Sequence, residues 1–252
     1  MRSLLKTLVP NRALVSTRFA LSDLSEIPLV AVPLVTELVQ NLMKFGYGRS
    51  IAESQVVDVN GEPLPWYTYP MIEYLGSFDF SDSSVFEYGC GNSTLWWAKR
   101  AKVVVSVEDN REWFSRVSAS LRSVIFAQGP EYVRSIDGMY DLIIVDGTNR
   151  FACSVEAIKH LNPGGAILVD NSDCLPKTTK FLRSQGLFEI AMNGFSALAS
   201  RSGRTSLFIS HPPRFRFKPH QPSLAGDVVA WEENDADANK DVQSLTNPPV
   251  PR

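Results

Sequence analysis

Three groups of oxygen-bearing side chains stand just after short apolar runs, and their types and spacing set the chemistry open to this chain. The first is Val85-Phe86-Glu87-Tyr88-Gly89-Cys90-Gly91-Asn92-Ser93-Thr94. Here an apolar run passes through a glycine turn into a helical pattern. The glycines let a ligand approach the backbone, and free N–H groups at the helix start meet its polar edge. The second group, Glu108-Asp109, ends the run Val103–Val107 about 20 residues further on, where a carboxylate accepts both hydroxyls of a ribose. The third is split between Asp146, after Tyr140–Val145, and Asp170-Asn171, after Ala166–Val169. Neighbouring parallel strands lie about 4.8 Å apart, so Asp146 and Asp170 can share one hard cation.

The elements that must carry these groups follow from periodicity. Strands are expected at 84–88, 103–108, 123–127, 140–146 and 165–170, with helices at about 93–101, 110–121, 151–161 and 175–185 between and after them. Such alternation implies crossover units on a parallel sheet. Leu187–Met192 and Thr205–Ser210 follow with no helix between them and are expected to pair antiparallel. The expected fold is therefore α/β: a Rossmann-like three-layer sandwich on a mostly parallel seven-stranded sheet with an antiparallel last strand. Apolar residues recur at helical spacing from Leu29 to Phe45, and Gly46 and Gly48 end the run, which predicts an N-terminal helical arm. Residues 48–65 are polar and turn-rich, and Pro65-Trp66-Tyr67-Thr68-Tyr69-Pro70 leads into a short helix, Met71 to Leu75.

A dinucleotide fingerprint would need a third glycine at position 94, where Thr94 stands. Glu87, two residues before the first glycine, suits a cationic ligand better than a pyrophosphate. In these motifs and their order, residues 80–210 resemble the class I S-adenosylmethionine-dependent methyltransferases. The resemblance implies S-adenosylmethionine as cofactor. Glu87, Gly89 and Gly91 form its first motif, Glu108 takes the ribose, Asp109 lies beside the adenine, and Gln128 contacts the adenine ring. Asn92 and Ser93, with Thr94, line the methionine end, a role compatible with capping the helix. Asp146 borders both cofactor and acceptor.

The strand ends further resemble the catechol-type, metal-dependent O-methyltransferases, which implies that Asp146, Asp170 and Asn171 hold magnesium or another divalent cation. That family carries a lysine base shortly after its fourth-strand Asp, whereas Asn149 and Arg150 stand here. Arginine is a poor base because its pKa lies above 12. The expected catalytic pair is then Asp146 as proton acceptor and Arg150 as the group that binds an acceptor anion or a developing oxyanion. Without a metal, Asp146 and Asp170 become hydrogen-bonded acids lining the acceptor cleft.

Other features set the context. Trp96 and Trp97 are expected to pack against the sheet; the Trp66, Tyr67 and Tyr69 cluster stands where many such methyltransferases fold a segment over the cofactor, with core packing as the other reading. The chain has 252 residues, 44% hydrophobic and 21% charged, with net charge −2. These values fit one soluble α/β domain and give no basic surface for nucleic acid. Cys90, Cys153 and Cys174 form no metal pattern, and a cytoplasmic protein is expected. Arg2, Lys6, Arg12 and Arg18 precede the first acid, Asp23; residues 1–25 read as an accessory arm, with peripheral membrane or protein contact as the second reading. The expected division is 1–79 as arm and cofactor-covering segment, 80–221 as the methyltransferase domain, and 222–252 as a disordered tail. The function expected is methyl transfer to a small or sugar-like acceptor, at oxygen. The alternatives are a non-catalytic binding module on the same fold and a nicotinamide or nucleotide-sugar enzyme. Oligomeric state is open at this point.

Overall fold

The computed structural model describes residues 32–210; the basic segment 1–25 and the tail 222–252 lie outside the described residues. Helices α1 (Val32–Lys44), α2 (Tyr47–Glu53) and α3 (Tyr69–Gly76) come first. The main α/β run follows as β1 (Ser84–Tyr88), α4 (Asn92–Ala98), β2 (Val103–Glu108), α5 (Arg111–Ser118), β3 (Val124–Phe126), α6 (Pro130–Arg134) and β4 (Tyr140–Val145). It continues through α7 (Arg150–Ala157), β5 (Leu161–Asp170), α8 (Pro176–Ser184), β6 (Phe188–Gly194) and β7 (Gly203–Ile209). The seven strands form one sheet in the order β3-β2-β1-β4-β5-β7-β6. β1 to β5 pair parallel with one another, while β7 runs antiparallel to both β5 and β6. This is the Rossmann-like sandwich with an antiparallel last strand that the sequence predicts.

Strand alternation divides the core in two. One face buries Phe86, Tyr88, Ile143, Val145, Ile167 and Val169 against residues of α6, α7 and α8. The other buries Val85, Leu142, Ile144 and Leu168 against Tyr67, Met71 and Leu75, and against Trp96 and Trp97 of α4. Each large side chain so buried contributes about 1.5–3 kcal/mol relative to exposure. Glu87, Glu108, Asp146 and Asp170 share the parity of this second face and lie at the carboxyl ends of their strands. That edge is where ligands bind in open α/β sheets.

Some elements differ from expectation. The stretch read as turns contains α2, and a short α6 follows β3. β5 starts at Leu161, because Gly164 adopts φ +81° and the register with β4 shifts between Tyr140 and Leu142, so a glycine-containing irregular stretch joins the ladder. The arm is not free-standing: Phe45 stacks on Tyr69 at 4.8 Å, and the Tyr47 hydroxyl donates to the Ala199 carbonyl at 2.9 Å. Among the described residues no helix is long and apolar enough to cross a membrane.

Candidate functional site

The first motif folds as a strand, a tight turn and a helix. Gly89 has φ +94°, and a Cβ there would lie 3.0 Å from the Gly147 backbone nitrogen. The β1 turn thus packs directly on the loop after β4, in a left-handed conformation that favours glycine. Gly91 is extended, and a Cβ there would meet only the Trp113 ring, at 3.9 Å. Thr94, where a dinucleotide site would carry glycine, accepts from the Gly91 N–H at 3.0 Å and donates to Glu87 Oε2 at 2.5 Å. The hydroxyl therefore fixes the acid and the turn together.

Glu87 is wholly buried. Its Oε2 also accepts from the Ser106 hydroxyl at 3.2 Å, whereas Oε1 is buried with no partner. Burial pushes its pKa up to about 8, while the hydroxyls of Ser93 and Thr94 hold it back. An orphaned buried carboxylate oxygen costs free energy that a cationic donor relieves. The Ser93 hydroxyl is brought to this carboxylate. Asn92 is directed elsewhere: its amide donates to the Val56 carbonyl at 2.6 Å and ties α4 to the N-terminal segment.

At the end of β2, Glu108 is buried and turned toward the same loop. Its Oε2 accepts from Cys90 N–H at 2.7 Å, and Oε1 from Asp109 and Asn110 N–H at 3.1 and 2.8 Å. The Cys90 thiol also hydrogen-bonds this carboxylate, and burial with the Glu108 charge pushes the thiol pKa up. Burial raises the Glu108 pKa against these N–H donors. Asp109 accepts from the Thr148 hydroxyl at 2.8 Å, and the exposed Gln128 amide donates to the Asp109 carbonyl at 2.9 Å. Gln128, Asp109 and Glu108 thus gather at one corner, although distant in sequence.

The ends of β4 and β5 are joined by Arg150, the first residue of α7. Its Nε donates to Gly147 O at 2.9 Å; Nη1 donates to Asp170 O at 2.6 Å and Asn171 Oδ1 at 3.2 Å. Nη2 donates to Asp146 O at 3.2 Å and Asp146 Oδ1 at 3.0 Å. All five guanidinium N–H groups are therefore committed to the chain itself. The expectation that Arg150 captures an acceptor anion does not fit this arrangement, because no donor is left over. A divalent cation does not fit either: Asp146 and Asn171 face the guanidinium, while Asp170 Oδ1 accepts instead from the buried Thr205 hydroxyl at 2.5 Å. Among the described residues no group of three His, Cys, Asp or Glu is placed to hold a metal.

Asp146 retains 20% of its side-chain exposure, and Arg150 engages it through Oδ1. Burial raises its pKa and Arg150 opposes the rise; Asp170 is raised by burial and then by the Asp146 charge. The aromatic cluster divides three ways. Tyr67 is wholly buried on the acidic face, accepts from the Trp97 indole at 3.4 Å, and has its phenol pKa raised by burial and by the charges of Glu87 and Asp146. Trp66 is half-exposed, and Tyr69 packs on the arm. Ser106 and Thr205 were not singled out from sequence. Ser106 carried a signal as the one polar residue inside Val103–Val107, whereas Thr205 meets Asp170 only through the β5–β7 register.

No family model and no curated protein matches the sequence. Among solved structures the fold is similar to a methyltransferase from Pyrococcus furiosus, at 20% identity over 57% of this chain and 83% of that one, with TM-score 0.41. It is also similar to an N-methyltransferase from Bradyrhizobium japonicum, at 15% identity over 50% and 85%, with TM-score 0.39. A third is an O-methyltransferase from Streptomyces achromogenes involved in tomaymycin synthesis, in complex with SAM, at 15% identity over 51% and 74%, with TM-score 0.43. The fold assignment rests on the strand order and register above and not on these likenesses.

Proposed function

We propose that the chain is an S-adenosylmethionine-dependent methyltransferase acting on an oxygen of a small-molecule or sugar-like acceptor. The observation that carries the reading is the orphaned Glu87 Oε1, wholly buried beside a glycine turn at the ligand-binding edge of an α/β sheet. A cationic amino group supplies its missing partner, whereas a pyrophosphate would be repelled by it.

Glu87 and Ser93 would hold the methionine end, with Gly89 and Gly91 leaving room for the close approach. Glu108 would take a ribose hydroxyl, and Asp109 with Gln128 would flank the adenine. The cofactor, when bound, supplies a methyl group on a sulfonium, activated for direct displacement. Tyr67 is buried beside the acids of this face, and the chain's contribution would be alignment and desolvation. Asp146 is the group to take the proton from the acceptor hydroxyl, through the oxygen that Arg150 leaves unengaged. Its raised pKa makes it a better base than a solvated carboxylate. With Arg150 committed to protein oxygens, nothing at this edge selects an anionic acceptor.

Incubating the protein with S-adenosylmethionine and pools of sugars, polyols and phenols, and assaying S-adenosylhomocysteine release, tests the reading. Release is expected with a hydroxylated pool and is expected to fall at least tenfold in Asp146→Asn. Tight cofactor binding with no release in any pool would instead favour a non-catalytic binding module.

A further inference from the structure

We infer that Arg150 is a cation built into the chain, standing between the ends of β4 and β5 in the place where a divalent metal ion would otherwise hold Asp146 and Asn171 together. The charge assignment is independent of the methyl-transfer reading; its consequence for catalysis rests on that reading.

Five N–H groups meet five oxygens at 2.6–3.2 Å, supplied by four residues on two loops, Asp146 and Gly147 after β4 and Asp170 and Asn171 at the end of β5. Two of these oxygens, Asp146 Oδ1 and Asn171 Oδ1, are side-chain oxygens of the kind hard cations prefer. The loops are shaped for the contact. Asn149 (φ 49°) and Asn171 (φ 52°) both adopt the left-handed conformation, which asparagine tolerates better than most residues. The main chain of Arg150 is anchored in turn, its carbonyl accepting from the buried Ser154 hydroxyl at 2.8 Å.

A divalent cation would have to draw the same oxygens in to about 2.0–2.6 Å around itself, into the space the guanidinium nitrogens fill, so it cannot share the cage with them. Arginine remains charged throughout the pH range of proteins, so this cation needs no metal supply and is not stripped by chelators. Four carboxylates, Glu87, Glu108, Asp146 and Asp170, gather at this edge. Arg150 is the one basic side chain in ion-pair contact with any of them among the described residues. It is a positioning residue: it holds Asp146 through Oδ1 and does not engage Oδ2.

Manganese titration of the full chain, followed by electron paramagnetic resonance, tests the inference without any turnover. Wild-type protein is expected to leave Mn2+ free to roughly millimolar concentration, the range of weak protein sites. Arg150→Ala and the bulkier neutral Arg150→Gln are expected to gain a bound Mn2+ signal, lost again on adding Asp146→Asn. Arg150→Lys, which restores a charge, is expected to stay silent. The inference is overturned if wild-type protein binds Mn2+ in a manner abolished by Asp146→Asn, or if a folded Arg150→Ala or Arg150→Gln takes up none. If neither neutral variant folds, the wild-type and Arg150→Lys titrations decide. S-adenosylhomocysteine binding is measured on the same samples: its absence from wild-type protein would sink the methyl-donor reading while leaving the manganese result to judge Arg150.

Discussion

The two halves of the ligand-binding edge handle buried charge in opposite ways. On the β1–β2 side, Glu87 and Glu108 accept from neutral donors, hydroxyls, backbone N–H groups and the Cys90 thiol, and Glu87 keeps one buried oxygen unpaired. On the β4–β5 side, Asp146 is paired with a guanidinium whose every donor is used. One side lacks a cation and the other contains its own. Under the proposed reading, a ligand with a positive end is directed to Glu87 and the β4–β5 side is left to position the acceptor.

The largest effect is expected from removing the internal cation. Arg150→Ala leaves Asp146 without its partner and four backbone or amide oxygens without this donor. Losing one member of a buried pair typically costs 3–5 kcal/mol; with 20% exposure on each partner, about 3 kcal/mol is expected here. Denaturant unfolding measures it, and a loss below about 1 kcal/mol would mean that the two halves do not differ as described.

Glu87→Gln probes the other side. It keeps the shape but removes the charge, so donor affinity should fall by about 1.5–3 kcal/mol, a range usual for hydrogen bonds to charged groups, or roughly 10- to 150-fold. The same variant should change the pH dependence of stability. Glu87 is raised from 4.5 to about 8 in the folded state, which therefore holds a proton that the unfolded chain has released between those values. Its contribution to stability is complete below about pH 4.5 and is lost as pH rises toward 8. Thermal melts of unliganded wild-type protein should thus fall over that window more steeply than those of Glu87→Gln; parallel curves would contradict the raised pKa.

Gly89→Ala acts where the halves touch. With φ +94° and the Gly147 nitrogen 3.0 Å from the added Cβ, the change should cost about 1–2 kcal/mol and weaken donor binding. Asn92→Ala should do least: about 1 kcal/mol of stability for the bond to Val56, with donor affinity nearly unchanged. A large loss of affinity in Asn92→Ala would return that residue to the cofactor site.

Much of this was legible in the chain. The apolar runs ending in Glu87, Glu108, Asp146 and Asp170 fall on β1, β2, β4 and β5, because period-two burial and helical spacing are local signals. The glycine turn and the antiparallel last pair follow from equally local patterns. What was hidden depends on contacts across the sequence. Arg150 reads as a free cation until the loops after β4 and β5 close on it, and Asn92 as a ligand residue until the N-terminal segment supplies the Val56 carbonyl. Helix α6 and the early start of β5 were missed because Pro130–Arg134 is short and Gly164-Gly165 imitates a turn.

The central claim, that the edge at Glu87 is built for a methyl donor, is tested most directly by calorimetric titration with S-adenosylhomocysteine and, in parallel, NAD. Wild-type protein is expected to bind S-adenosylhomocysteine, with proton release below about pH 8 as the ligand's amino group returns Glu87 to its charged form. Glu87→Gln should bind more weakly and release no proton. Binding of NAD but not S-adenosylhomocysteine, or equal affinity for S-adenosylhomocysteine in wild type and Glu87→Gln, would contradict the account.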